Sequence, residues 1–166
     1  MADGSAAAGS DQGSRQPDTR PAVIVSACLL GVCCNQRGEA NTDATVVALR
    51  ATHRVIPVCP ETAGGLPTPR PWAERQADGT VRDEHGNDVT EWFTRGAAHA
   101  VQLAAATGAQ RAVLKARSPS CGCREIYDGT FSHTRAAGEG VTAEALRKAG
   151  LDVVSEEELD AGPSAH

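Results

Sequence analysis

The chain reads as a single α/β domain with a mainly parallel sheet flanked by helices, and three observations predict it. Short β-branched apolar runs of strand length alternate with helical patterns. The runs are near-continuously apolar, as strands covered on both faces are. At 166 residues with 40% hydrophobic content, the chain can bury one core of ordinary size. Aromatic residues make up only 3%, so Val, Leu, Ile and Ala must build that core.

The first strand is PAVIVSAC (21–28), which closes on Cys28. NTDATVVALRATH (41–53) follows as a helix, with Val46, Val47, Leu49 and Ala51 inside and Asn41, Thr42 or Asp43 as its N-cap. HRVIPVCPE (53–61) is the second strand, closing on Cys59 where Pro60 ends the ladder; Pro57 weighs against this run, because proline cannot donate to a ladder. In DVTEWFTRGAAHAVQLAAATG (88–108), Phe93, Ala97, Ala100, Val101 and Ala104 follow helical spacing, Thr90 or Asp88 can cap, and Gly108 stops the helix. RAVLKARSPSC (111–121) begins as the third strand and turns at Ser118-Pro119. GVTAEALRKAG (140–150) is a helix with Thr142 as N-cap and Gly150 as its stop, and LDVVSEEEL (151–159) is the fourth strand. The domain therefore spans 21–160. Residues 1–20, small and polar with no apolar h-region, form a disordered tail rather than a signal peptide, and 161–166 form a flexible one.

A formal net charge of −5, with dispersed charges, argues against a nucleic-acid polymer or an anionic membrane as partner. No stretch approaches the roughly 18–20 apolar residues of a membrane span. The expected compartment is the cytoplasm, where six cysteines do not read as a disulfide framework. In a parallel sheet the C-terminal strand ends share one edge, where open α/β sheets bind ligands. Cys28, Cys59 and Cys121 all fall at or just past such ends, so residues far apart in sequence converge on a thiolate site. Thiolates on separate loops suit a soft metal or an iron–sulfur cluster. No CxxC knuckle of a structural zinc site or a thioredoxin-type pair occurs; only Cys33-Cys34 and Cys121-Gly122-Cys123 come near. A cubane held by three cysteines leaves one iron open as a Lewis acid. The five histidines show no metal-ligand spacing.

VSACLLGVCC, IPVCPETAGGLPTPR, DVTEWFTRGA, LKARSPSCG, EIYDGTFS, GVTAEALRKAG and VSEEEL occur in this order, over about residues 22–159. Together these blocks resemble the bacterial thiouracil desulfidase-like family, long catalogued only as a domain of unknown function. The resemblance implies an α/β domain, a [4Fe–4S] cluster held by Cys28, Cys59 and Cys121, and non-redox removal of sulfur from a thiolated base such as 2-thiouracil as hydrosulfide. Where the family often reads GVPCRYDG, this chain has GVCCNQRG. Cys34 thus matches the usual thiol, Cys33 replaces a proline and Arg37 replaces an acidic residue.

The remaining candidate residues cluster around the same strand ends. Hydrolytic desulfuration needs a base for water and an acid for the ring nitrogen or product, and Glu61, just past Cys59, is the carboxylate best placed for it. Ser118 and Ser120 can bond substrate oxygen or cluster sulfide, or only their own turn. Arg70, closing the GGLPTPR loop, Lys115 and Tyr127 are expected to bind substrate, while Trp72 and Trp92 serve as packing or pocket-wall aromatics. Cys34 is a possible fourth ligand or functional thiol, and Cys33 and Cys123 are incidental. The competing reading is a non-catalytic iron–sulfur or zinc module that serves a partner protein.

Overall fold

The computed structural model describes residues 16–160. Four apolar runs become β1 (Ala22–Ser26), β2 (Arg54–Val58), β5 (Arg111–Leu114) and β8 (Asp152–Ser155), all parallel, in the order β2-β1-β5-β8. β1 and β5 are central, and Ile24, Val25, Ala112 and Val113 on them are at most 1% exposed. Pro57 is tolerated because β2 is an edge strand.

Helices cover both faces. On one, α3 (Thr90–Thr107) and α4 (Val141–Lys148) pack Ala100, Ala104, Ala143 and Leu146 on Ile24, Ala112, Leu114 and Val153. On the other, α1 (Ala44–Ala48) and α5 (Glu156–Asp160) bring Val46 and Leu159 to Val23, Val25, Val113 and Val154. Each fully buried Val, Leu or Ile contributes about 1.5–3 kcal/mol. The chain steps from β1 outward to β2 and from β5 outward to β8. The topological switch point, where open α/β sheets bind ligands, therefore lies between β1 and β5.

Several local expectations are corrected. Cys28 does not end a strand but sits in a 3₁₀ turn, Ala27–Leu30, closed by Gly31 at φ 94°. The helix expected over 41–53 is α1, capped by Asp43, whose Oδ1 accepts from the Val46 N–H at 3.0 Å, followed by a 3₁₀ turn, Leu49–Ala51. Val89 holds the N-cap position of α3, although Asp88 Oδ1 accepts from the Thr90 N–H at 2.9 Å. Thr142 does not cap α4. Gly140 does, and the Thr142 hydroxyl is buried 2.9 Å from Ser120 Oγ. The fourth run leaves the sheet at Ser155, where Glu158 reaches back to accept from the Ser155 N–H at 2.7 Å and starts α5. The short α2 (Pro60–Ala63) and two antiparallel hairpins, β3 (Ala73–Arg75) with β4 (Val81–Asp83) and β6 (Glu125–Tyr127) with β7 (Arg135–Ala137), were not expected.

Of the tails, residues 1–15 and 161–166 lie outside the described residues. Of the remainder, Arg20 is tied to Asp18 and to the Arg50 carbonyl. No described helix is long and apolar enough to cross a membrane.

Candidate functional site

The C-terminal sheet edge gathers the loops that carry chemistry. β1 delivers Cys28, β2 delivers Cys59 as the N-cap of α2, and β5 leads to the Ser118–Cys121 turn. The Ser26 hydroxyl, 2.9 Å from the Lys115 N–H, ties the ends of β1 and β5 together. Cys59 is set by a close helix crossing. A Cβ on Gly96 of α3 would lie 1.9 Å from the Pro60 carbonyl oxygen, and one on Gly64 would lie 2.0 Å from that of Trp92. Only glycine on both sides lets α2 approach so closely. The Cys121 turn is held likewise, since a Cβ on Gly140 would lie 2.3 Å from the Ser120 carbonyl carbon.

Cys28, Cys34, Cys59 and Cys121 line one inner cavity of about 60 Å³. Beside it lies an outer cavity of about 190 Å³, and Asn35, Gln36, Asn41, Glu61, Lys115 and Ser118 line both. Cys28, Cys34 and Cys121 are buried and Cys59 is half-buried. Among the described residues no three cysteine, histidine or carboxylate groups are gathered tightly enough for a single metal ion; the thiols surround a space rather than a point.

Burial pushes the Cys28 and Cys121 thiols up, and neighbouring sulfurs add to it, while Asn41 beside Cys28 and Ser26 beside Cys121 oppose it. Cys59 goes the other way, to about 5, because the Cys34 thiol bonds it and Thr62 at the start of α2 and Arg70 favour its anion. The same bond and burial push Cys34 up. Soft donors from three loops, massed until they resist joint ionisation, fit a cationic iron–sulfur group.

Glu61 Oε2 accepts from Arg70 Nε at 2.5 Å, with the two side chains 14% and 4% exposed. Burial raises the Glu61 carboxyl more than Arg70 lowers it. Its Oε1 has no hydrogen-bond partner among the described residues. Arg70 lines the inner cavity, but its guanidinium also bonds the carbonyls of Cys34, at 2.9 Å, and Pro67, and the Thr68 hydroxyl. Lys115 lines both cavities and its ammonium pairs with Glu156 Oε1 at 2.5 Å, while Glu156 Oε2 accepts from the Ala116 N–H.

Ser118 lines both cavities, and its Oγ accepts from the N–H groups of Ser120 and Cys121 at 3.1 and 3.0 Å, leaving its own proton to donate. Ser120 is not brought to the site. It is fully buried against Thr142 and lines neither cavity. Tyr127 and Trp72 wall the outer cavity, and the Tyr127 hydroxyl has no hydrogen-bond partner among the described residues.

Cys33 is exposed outside both cavities. Cys123 lies in a separate pocket, 3.8 Å from Glu158 and pushed up to about 12 by burial and that carboxylate. The sequence reading missed Asn35, Gln36, Asn41 and Glu156. Their only signal is position, on the loop after Cys28 and just past β8.

Fold and site define a class: a parallel α/β domain whose strand ends surround a cavity with thiol donors, with a buried carboxylate at its edge. Residues 23–158 match the model of the 2-thiouracil desulfurase family, and the chain belongs to that family. It is 38% identical over 147 residues to the uncharacterized protein YbbK of Bacillus subtilis (strain 168), an alignment spanning 83% of this chain and 97% of that one. Among solved structures it is similar to the [4Fe-4S]-dependent thiouracil desulfidase TudS, with 46% identity, a TM-score of 0.80, and 86% of this chain and 95% of that one covered.

Proposed function

We propose that this protein is a [4Fe–4S]-dependent desulfidase that hydrolyses a thiolated heterocycle such as 2-thiouracil to the oxo-base and hydrosulfide. One observation carries the reading: three thiols at one sheet edge line a cavity that shares Glu61, Lys115 and Ser118 with a second, larger cavity of about 190 Å³. Cys28, Cys59 and Cys121 would hold the cluster. When bound, it supplies a Lewis-acidic iron for a soft sulfur.

The residues of the chain do the rest. The free Oε1 of Glu61 takes a proton from the attacking water, and Arg70 holds that carboxylate in line. Ser118, held by two backbone donors, gives its hydroxyl proton as a hydrogen bond to the substrate or the departing sulfur. Lys115 supplies positive charge between the two compartments. Water adds oxygen to the carbon as sulfur leaves, so no net electron moves. We place the protein in the cytoplasm, a reducing compartment that six free cysteines fit, and the outer cavity is of a size for a small molecule.

Glu61→Gln is the test. The variant should retain iron and colour but release hydrosulfide more slowly by a factor on the order of 100. An unchanged rate would move the proton-transfer role elsewhere, with Ser118 and Tyr127 the next groups on the cavity wall.

A further inference from the structure

One wall of the outer cavity takes no part in the chemistry above. Trp72 and Tyr127 line it side by side, their ring centroids 5.1 Å apart and their planes at 68°. In a chain with two Trp, one Tyr and two Phe, this places two of five aromatic residues on one small cavity.

Trp72 is fixed from two directions. Its backbone N–H donates to Glu84 Oε1 at 3.1 Å, and its indole Nε1–H donates to Glu74 Oε1, also at 3.1 Å. Glu74, on β3, is only 2% exposed. Its other oxygen accepts from the N–H groups of Gly129 at 2.9 Å and Phe131 at 3.0 Å, in the turn between β6 and β7. A carboxylate is seldom buried without a cation, and no ion pair forms on Glu74 among the described residues. Packing two hairpins together does not need such a group, because apolar side chains would do as well. What three directed donors add is orientation: the hairpin carrying Trp72 is locked to the one carrying Tyr127. With its N–H taken, the indole has only its π surface to offer a ligand.

We propose that Trp72 is a specificity-determining residue, the surface on which the planar ring of the substrate stacks, and that Glu74 is the positioning residue that fixes its indole. This rests on the desulfuration reading and narrows it: flat heterocyclic thiones are favoured over acyclic thioamides, which have no ring face to stack. Stacking of a base on an aromatic side chain is worth roughly tenfold in affinity or more.

The test uses full-length, cluster-loaded protein under anaerobic conditions. Calorimetry gives the Kd of uracil, a ring that binds without turning over, and hydrosulfide release gives kcat and KM for 2-thiouracil and thioacetamide. Trp72→Ala should weaken uracil binding and raise KM for 2-thiouracil by roughly tenfold, with kcat, iron content and thioacetamide turnover near wild type. Trp72→Phe should recover most of the affinity. Glu74→Gln, whose NH2 group must face either the indole N–H or the two backbone N–H groups while its oxygen keeps the other side, should raise KM in the same direction and weaken the near-ultraviolet dichroism of the indole. A Trp72→Ala variant with wild-type Kd and KM while the wild type turns over 2-thiouracil overturns this inference alone. Variants that lose kcat and iron with KM unchanged also overturn it, since that is a merely structural role. A wild type that releases no hydrosulfide from any thiolated ring removes the desulfuration reading and this inference with it.

Discussion

Replacing Gly96 by Ala perturbs the site from the far side of a helix. The added Cβ would lie 1.9 Å from the Pro60 carbonyl oxygen, 2.6 Å from its carbon and 3.2 Å from its Cα. An ordinary C···O approach is about 3.3 Å, so α2 must withdraw by roughly 1.4 Å. The obstacle is backbone and cannot rotate aside. Pro60 is flanked by Cys59 and Glu61, so one displacement moves both a cluster ligand and the proposed base. Overpacking costs about 1–3 kcal/mol, but Ala for Gly inside a helix returns about 1 kcal/mol. The domain should therefore stay folded, with its melting temperature lower by no more than about 8 °C. The site should not tolerate the change, since a misplacement of about 1 Å can cost on the order of 100-fold in rate. Iron content and hydrosulfide release after anaerobic reconstitution, alongside thermal unfolding, separate the two effects. Gly108→Ala is the control: it places a Cβ at φ 71° with nothing within 4 Å, so it should cost about 1–2 kcal/mol of strain and leave the site untouched. Wild-type iron and turnover in Gly96→Ala would refute the claim that this crossing sets Cys59 and Glu61.

Cys28→Ala, Cys59→Ala and Cys121→Ala should each lose stable iron, whereas Cys123→Ala should keep it, because that thiol faces a different pocket; iron analysis after desalting distinguishes them. Ser120→Ala should lower stability by about 1–3 kcal/mol by stranding the buried Thr142 hydroxyl, yet leave the folded protein's turnover unchanged, as denaturant titration and rate together would show. Asp83 is held below the ordinary carboxyl range by the Asn87 side chain and the N–H groups of Asn87 and His85. Its stabilisation is present above the unfolded pKa of about 3.9 and disappears as pH falls through the folded value. Asp83→Asn should thus be less stable than wild type near neutrality, and the gap should close in acid unfolding curves.

The sheet was legible because its two central strands are buried on both faces and carry the apolar runs AVIV and AVL. The placement of three cysteines at one sheet edge followed from that alone. The hairpins were not legible. AER, VRD, EIY and RAA are three-residue strands with no apolar run, and only the turn pairs Asp78-Gly79 and Asp128-Gly129 mark them. With them went the tie from Glu74 to the aromatic wall, which depends on contacts more than 50 residues apart. Thr142 shows why a cap residue misleads: its hydroxyl bonds a distant serine instead of its own helix. The serine pair around Pro119 looked equivalent in sequence, but alternation across the turn sends Ser118 to the cavity and Ser120 into the core. In α5 the S-x-x-E spacing of Ser155 and Glu158 was a helix signal hidden behind an apolar run.

The most direct test of the account is hydrosulfide release from 2-thiouracil by anaerobically reconstituted full-length protein, with no reductant present. The loaded protein should hold about four iron and four sulfide per chain. It should release hydrosulfide and uracil in equal amounts over many turnovers, and chelated, cluster-free protein should release none. Release that stops near one equivalent until electrons are supplied, or that continues unchanged without the cluster, would contradict it.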